Sequence, residues 1–294
     1  VIDASLLTST LLSSPLDAAL PTSDASWLES FTGLEGFNGW LLALVIVGGF
    51  AAGWVDAVVG GGGLIQLTML LTLPGVSPVQ ALATNKFGSI AGTATSSITY
   101  FRRVKPDLRT ALPMAAIALF GAYGGAILAS SIPAAAFKPI IAIAILGIGI
   151  FTAFKPSVGQ LDKLKYEGRK HHVVAGLIGF AIGVYDGLLG PGTGSFLVIA
   201  LVSLLGYSFL QASAKAKIVN LGTNLGALLF FAPQGYVLWG LGAVLAVSNV
   251  AGGYLGARTA IRGGSKLIRW VFLIVVSVLF IKLAIDIWNE YVAS

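Results

Sequence analysis

The chain has 294 residues, of which 56% are hydrophobic and 10% charged, against about 25% charged in an ordinary soluble domain. A water-soluble fold of this size cannot hide that much apolar surface, so the composition describes an integral membrane protein built of helices. A formal net charge of +6 would suit a nucleic-acid binder, but no Lys or Arg occurs before Lys86 and most of the basic residues gather in three short polar segments. That is how loops on one face of a bilayer look, and no nucleic-acid partner is implied. Cysteine is absent, which excludes disulfides, thiolate metal sites and a cysteine nucleophile.

Residues 1–37 are Ser/Thr/Leu-rich and acidic and lack the basic start of a signal peptide, so they read as an extramembrane leader. A helix needs about 20 residues, at roughly 1.5 Å each, to cross the hydrocarbon core. Runs of that length follow at 40–59, 82–101, 111–131 and 137–154 in a first half, 38–154. A polar linker, 155–172, leads to a second half, 173–290, with runs at 173–189, 212–231, 237–257 and 267–287. Two shorter apolar runs, 64–73 and 195–205, follow Gly-rich breaks and are expected as half-helices.

The halves are an internal repeat. Shifted by 130 residues, 49–56 lies over 179–186, so that Asp56 falls on Asp186, and Gly60 and Gly62 fall on Gly190 and Gly192. With one residue of slippage, Ser77, Gln80 and Lys86 match Ser208, Gln211 and Lys217. Chance likeness between apolar segments would not recover the Asp, Gln and Lys. The basic loops alternate between the halves. Arg102, Arg103, Lys105 and Arg109 have no basic counterpart at 232–236, whereas the uncharged 131–136 corresponds to a loop with Arg258, Arg262, Lys266 and Arg269. Equivalent loops of opposite bias mark inverted-topology repeats. The expected architecture is therefore a polytopic helical bundle of two inverted-topology repeats with Gly-rich helix breaks. Each half crosses an odd number of times, both termini lie outside, and the linker and basic loops are cytoplasmic.

Among 12 acidic residues only Asp56 and Asp186 fall well inside apolar runs. An ionised side chain at the bilayer centre costs about 2.5 to 3.5 kcal/mol on insertion scales, so such residues face a cavity or a partner. Each Asp either ties down a broken helix or couples transport to protons. The breaks themselves, Gly60, Gly61, Gly62, Gly63 and Gly190, Gly192, Thr193, Gly194, leave backbone N–H groups free and aim helix N-termini at one spot. Paired breaks at corresponding positions point to a transporter's binding site, although glycine also serves close helix packing. A bulky residue at Gly62 or Gly192 is expected to block transport with modest loss of folded protein. Thr84, Asn85 and Lys86 open the next helix, and Lys215, Lys217, Asn220 and Asn224 lie on its mate. Lysines beside amide and hydroxyl donors suit a small anion. The lysines alternatively pair inside their own halves, Lys86 with Asp56 and Lys217 with Asp186.

Enzyme signatures fail on context. The spacing of Gly190, Gly192 and Gly194 imitates a dinucleotide fingerprint, but no strand precedes it. No phosphate-binding G-x-x-x-x-G-K-[ST] loop exists, and the residues around Asp56 break the intramembrane aspartyl protease pattern. His171 and His172 adjoin at a membrane edge without metal-ligand partners and read as solvated interface residues. No metal or cofactor is called for, and the partners are the lipid bilayer and the small anion, with homo-oligomerisation left open.

The chain resembles the TauE/SafE family of membrane transporters, especially its YfcA-like branch, from about Leu42 to Ile287. The likeness rests on Asp56 through Leu64, on Ala83-Thr84-Asn85-Lys86, on Tyr185 through Phe196, and on Ala214-Lys215-Ala216-Lys217. The family often has a proline shortly after the first break, where this chain reads Ile65-Gln66-Leu67-Thr68. The resemblance implies an inner-membrane protein moving sulfite, sulfonates or related organic anions. An anion channel and, more remotely, an intramembrane aspartyl hydrolase are the rival readings.

Overall fold

The computed structural model describes residues 22–133 and 162–293. The expected span at 137–154, the first part of the linker (155–161) and residues 1–21 lie outside the described residues. All regular elements among the described residues are helical: α1 (Thr22–Thr32), α2 (Gly39–Val59), α3 (Gly62–Thr72), α4 (Pro78–Val104) and α5 (Leu108–Ser130). The second half gives α6 (Gly168–Leu188), α7 (Thr193–Ala200) with a π turn at Leu201–Leu205, α8 (Phe209–Phe231) and α9 (Trp239–Ala293). Helix α9 changes direction at Gly264, whose φ of 62° and ψ of −166° no helix accommodates.

Local chemistry sets the starts of these helices. Ser77 and Gln80 close a capping box over α4 with Pro78 in its first turn, which carries the helix one turn further back than its apolar run suggests. Ser208, the repeat mate of Ser77, caps α8, and Asp107 caps α5. At Asp107, partial burial would raise the carboxyl pKa. Hydrogen bonds from Thr110 and the Arg109 N–H, with the Lys215 charge, outweigh it and hold the group below the usual carboxylate value. Leu28, Leu34 and Phe37, at the end of the leader, are buried in one apolar cluster with Leu241 and Leu245 of α9, so this part of the leader is docked rather than free.

Four helices, α2, α5, α6 and α9 as far as Ile268, are long and apolar enough to cross a membrane. They present large apolar side chains outward, including Val47, Phe120, Leu177 and Val247, which only a lipid environment tolerates in such number. Inside them lie α4 and α8, whose Thr84, Asn85, Lys86, Thr93, Lys217, Asn220 and Asn224 are buried. The polar helices are thus wrapped by apolar ones.

Among the described residues each half lends a helix to the other: α5 packs on α6 and α8, while α9 packs on α2 and α4. The contacts are duplicated residue by residue. A Cβ on Gly125 would fall on the Val184 carbonyl, and one on Gly256 would lie 2.5 Å from its repeat mate, the Trp54 carbonyl. Gly121 meets the Phe180 carbonyl as Gly252 meets that of Phe50. The mates α4 and α8 run antiparallel, since Gln211 at the start of α8 donates to the Val104 carbonyl at the end of α4. In mid-helix the Asn224 amide reaches Thr93 Oγ1 at 3.4 Å.

This packing gives a paired expectation. Gly125→Ala should destabilise the protein by about 1–3 kcal/mol through backbone overpacking. Its neighbour Gly124, with nothing within 4 Å of an added Cβ, should accept Ala and gain about 0.5–1 kcal/mol of helix propensity. Thermal unfolding of both variants in detergent checks the contrast.

Candidate functional site

The two glycine breaks touch. Helix α2 ends at Gly60, whose φ of 81° is left-handed and whose N–H still reaches the Asp56 carbonyl. In the second half Gly190 (φ 84°) and Gly192 (φ 74°) make the corresponding turn, and Tyr185 donates its hydroxyl to the Pro191 carbonyl at 2.6 Å. Ser195 in the first turn of α7 then ties one break to the other. Its N–H donates to the Gly60 carbonyl at 3.2 Å and its hydroxyl to the Val59 carbonyl at 2.9 Å. A Cβ on Gly60 would fall on the backbone of Gly194, and the reverse holds too. Only glycine permits that approach in this conformation.

Around the contact stand two ion pairs, each crossing between the halves. Lys86 Nζ lies 2.6 Å from Asp186 Oδ1, both side chains sealed at 2% exposure. Lys217 Nζ lies 2.8 Å from Asp56 Oδ2, and this carboxylate retains 16% exposure. Pairing within each half, the alternative the sequence offered, is therefore corrected. Each broken helix turns its carboxylate toward the polar helix of the opposite half. Thr193 Oγ1 lies within hydrogen-bond reach of both Asp186 Oδ1, at 2.5 Å, and the Gly190 carbonyl, at 2.9 Å. Asp186 Oδ2 has no hydrogen-bond partner among the described residues.

Between the breaks and the pairs is a cavity of about 20 Å³, room for one water-sized molecule. Asp56, Gly60, Gly63, Asn85, Lys86 and Ser89 line it from the first half, and Asp186, Gly190, Thr193, Gly194, Asn220 and Asn224 from the second. Gly61, Gly62 and Gly192 are not part of this lining. A Cβ on Gly62 would collide with the Ala52 carbonyl and with Asp56 Cβ, so the expectation that a bulky residue there would spare the folded protein is corrected. Gly63 is different: its Cβ would stand 3.5 Å from the Gly190 carbonyl, an ordinary contact.

Lysine 217 joins the site through Asp56. Thr84 lies outside the cavity lining and accepts the Leu238 N–H at 3.0 Å, anchoring the approach to α9. Lys215, two residues before Lys217 and so about 200° around the helix, places its ammonium 4.4 Å from the centre of the Tyr207 ring. His171 is buried, not solvated, and hydrogen-bonds the Tyr207 hydroxyl at 2.8 Å because the 206–208 turn folds over it; His172 stays exposed. Ser89 was missed, although its place one turn from Asn85 on the same helix face was a signal that could have found it. Gln66 was not: fully buried, it donates to the Asn85 carbonyl and accepts from Asn249 Nδ2 at 2.8 Å, bracing α3 against α4 and α9.

An apolar helical shell around a sealed, charged centre built by two duplicated halves is the architecture of a membrane transporter. The chain belongs to the family described as sulfite exporter TauE/SafE, whose profile matches residues 45–283. It is 36% identical over 246 residues to the probable membrane transporter protein ORF9 of Sinorhizobium sp, covering 84% of this chain and 93% of that one. It is 34% identical over 260 residues to the probable membrane transporter protein YfcA of Escherichia coli K12, covering 88% and 95%. The probable membrane transporter protein YdhB of Bacillus subtilis is 26% identical over 223 residues, covering 73% and 89%. No solved structure matches the chain.

The sealed pair makes a stability prediction. Lys86→Met leaves Asp186 buried without its cation and should cost about 3–5 kcal/mol, whereas Lys86→Met with Asp186→Leu should recover most of that loss. Lys217→Met should cost less than Lys86→Met, because Asp56 keeps access to water. Thermal unfolding of the four proteins gives the order directly.

Proposed function

We propose that the protein is a secondary transporter of small anions, with its site where the two glycine breaks meet and its crossed ion pairs as the element that binding rearranges. The observation that carries this reading is the charge balance of the closed site. Two lysines and two aspartates cancel when all are ionised, and the cavity is smaller than a sulfur oxyanion or a sulfonate needs. An anion enters only when the breaks part and a lysine is released from its carboxylate.

A proton supplies that release. Protonating Asp186 or Asp56 leaves the site with one net positive charge and frees an ammonium for the anion. The unpartnered Asp186 Oδ2 then becomes an O–H donor. The amides of Asn85, Asn220 and Asn224 and the N–H groups of the cavity-lining Gly63 and Gly194, in the first turns of α3 and α7, add neutral donors. Moving a monoanion inward against about 100 mV, inside negative, costs roughly 2.3 kcal/mol. A proton carried with it cancels the charge, while export down the same potential needs no proton.

Sulfite, sulfonates and related organosulfur anions are the proposed substrates, supported by the family description and by the match of their oxygens to ammonium and N–H donors. The sealed cavity favours alternating access over an open channel. An aspartyl hydrolase needs two carboxylates acting together, whereas here each is held by a lysine of the opposite half. The antiparallel mates α4 and α8 support the inverted repeats, and the arginine-rich face is assigned to the cytoplasmic side of an inner membrane.

Proteoliposomes given labelled sulfite, sulfonates, sulfate and carboxylates test the reading. Saturable uptake driven by an acid exterior is expected. Asp186→Asn should lose the dependence on the pH gradient while retaining exchange of substrate for substrate. Non-saturating conductance, or gradient-driven uptake surviving in the Asp56→Asn, Asp186→Asn double variant, would contradict it.

A further inference from the structure

A second polar cavity, sharing no residue with the first, opens where the end of α4 meets the middle of α9. It has a volume of about 380 Å³, and Arg102, Arg103, Arg258 and Arg262 converge on it beside Ile98 and Tyr254. Among the described residues none of the four makes a salt bridge. The Tyr254 ring lies 4.4 Å from the Arg258 guanidinium carbon, a contact that neutralises nothing. Four like charges around one cavity repel one another, and an anion in their midst would reverse the sign of that interaction.

The fold does not require them. At the equivalent place in the other half the repeat keeps the aromatic residue, Tyr123 for Tyr254, but replaces the arginines by Ala232, Pro233, Ile127 and Ser131. Two halves packed by the same contacts thus differ here by four guanidinium groups, so helix packing does not call for them; orientation in the bilayer calls for basic charge on this face but not for its convergence on one cavity.

The walls identify the ligand class. Arg102 lies thirteen residues beyond Ser89, which lines the central cavity, on the same continuous helix. At 1.5 Å per residue that is about 20 Å, more than the roughly 15 Å half-thickness of a hydrocarbon core. With the central cavity placed at the bilayer midplane, as the proposed transport site requires, the guanidiniums stand at headgroup depth. One turn deeper, Ile98 is 53% exposed and Tyr254 38% exposed, giving an apolar slope beneath the charges. A free inorganic anion has no use for such a slope. A phospholipid needs both, its phosphate on planar guanidiniums that bind phosphate oxygens two at a time and its acyl chain along Ile98 and Tyr254.

We propose that this cavity binds the headgroup of an anionic phospholipid at the arginine-rich face, between α4 and α9. Because α9 also packs on α2, which carries Asp56, a lipid there grips the helix that closes the first half.

The test uses the purified full-length chain in neutral detergent, titrated with phosphatidylglycerol, phosphatidylcholine or inorganic phosphate, with bound lipid counted by native mass spectrometry. Phosphatidylglycerol should bind, phosphatidylcholine much more weakly, and inorganic phosphate should not compete at millimolar concentration. Removing one arginine from each helix, Arg103→Gln with Arg262→Gln, should weaken phosphatidylglycerol binding about 25-fold, near fivefold for each charge. Lys105→Gln, on the same face but outside the cavity, should leave it unchanged. If the Gln variant does not fold, Arg103→Lys with Arg262→Lys keeps the charge, loses the planar fork and should still weaken binding. Equal weakening by Lys105→Gln, unchanged binding in the arginine variants, or full competition by phosphate would each overturn the proposal.

Discussion

The structure depends on charges that cannot be left alone. A lysine and an aspartate buried far from water are each costly, and their attraction offsets that cost only when the contact is close and the remaining hydrogen bonds are made. Here both pairs satisfy the first condition by reaching across the molecule, Lys86 to Asp186 and Lys217 to Asp56. Neither half can satisfy its charges in isolation. The ion pairs therefore select the docked arrangement of the two halves, and anything that loosens one pair weakens the seal between them.

Glycine makes the reach short enough. With Gly60 against Gly194, the ends of the two broken helices meet backbone to backbone, and Ser195 fastens them with two hydrogen bonds. The same device recurs along α5, α6 and α9, where glycines face the carbonyls of the opposing helix. In a bilayer no hydrophobic force drives helices together, so close approach and van der Waals contact are what hold them. The cavity is small because the packing is tight, and it is polar because lysine, aspartate and asparagine are the side chains that remain there. In the proposed transport cycle this closed state holds its charges in balance until a proton or an anion shifts them.

Much of this was legible in the chain. The recurrence of Asp56, Gln80 and Lys86 as Asp186, Gln211 and Lys217 exposed the repeat, because a polar residue inside an apolar run is too costly to recur by accident. The breaks were legible because consecutive glycines seldom continue a helix. The partners of the lysines were not, since a repeat reveals which residues correspond and not which face each other across the axis relating them. Lys215 was grouped with Lys217 by proximity in sequence, although two residues of helix turn it to another side. Gln66 carried no signal, as a lone glutamine in an apolar half-helix looks like a surface position until Asn85 and Asn249 are seen on either side of it. His171 was placed in water because nothing in the sequence shows the 206–208 turn folding over it.

We propose that during uptake a proton takes the lysine's place on one carboxylate of the crossed pairs while the anion takes the carboxylate's place on the lysine, so that each anion taken up is accompanied by a proton. The most direct measurement is the proton-to-anion ratio. Proteoliposomes containing a pH-sensitive dye would be given a transported sulfonate, whose own acid does not titrate near neutrality, with the membrane potential clamped. Internal acidification by about one proton for each anion entering is expected. Anion entry with no accompanying proton movement would contradict the account.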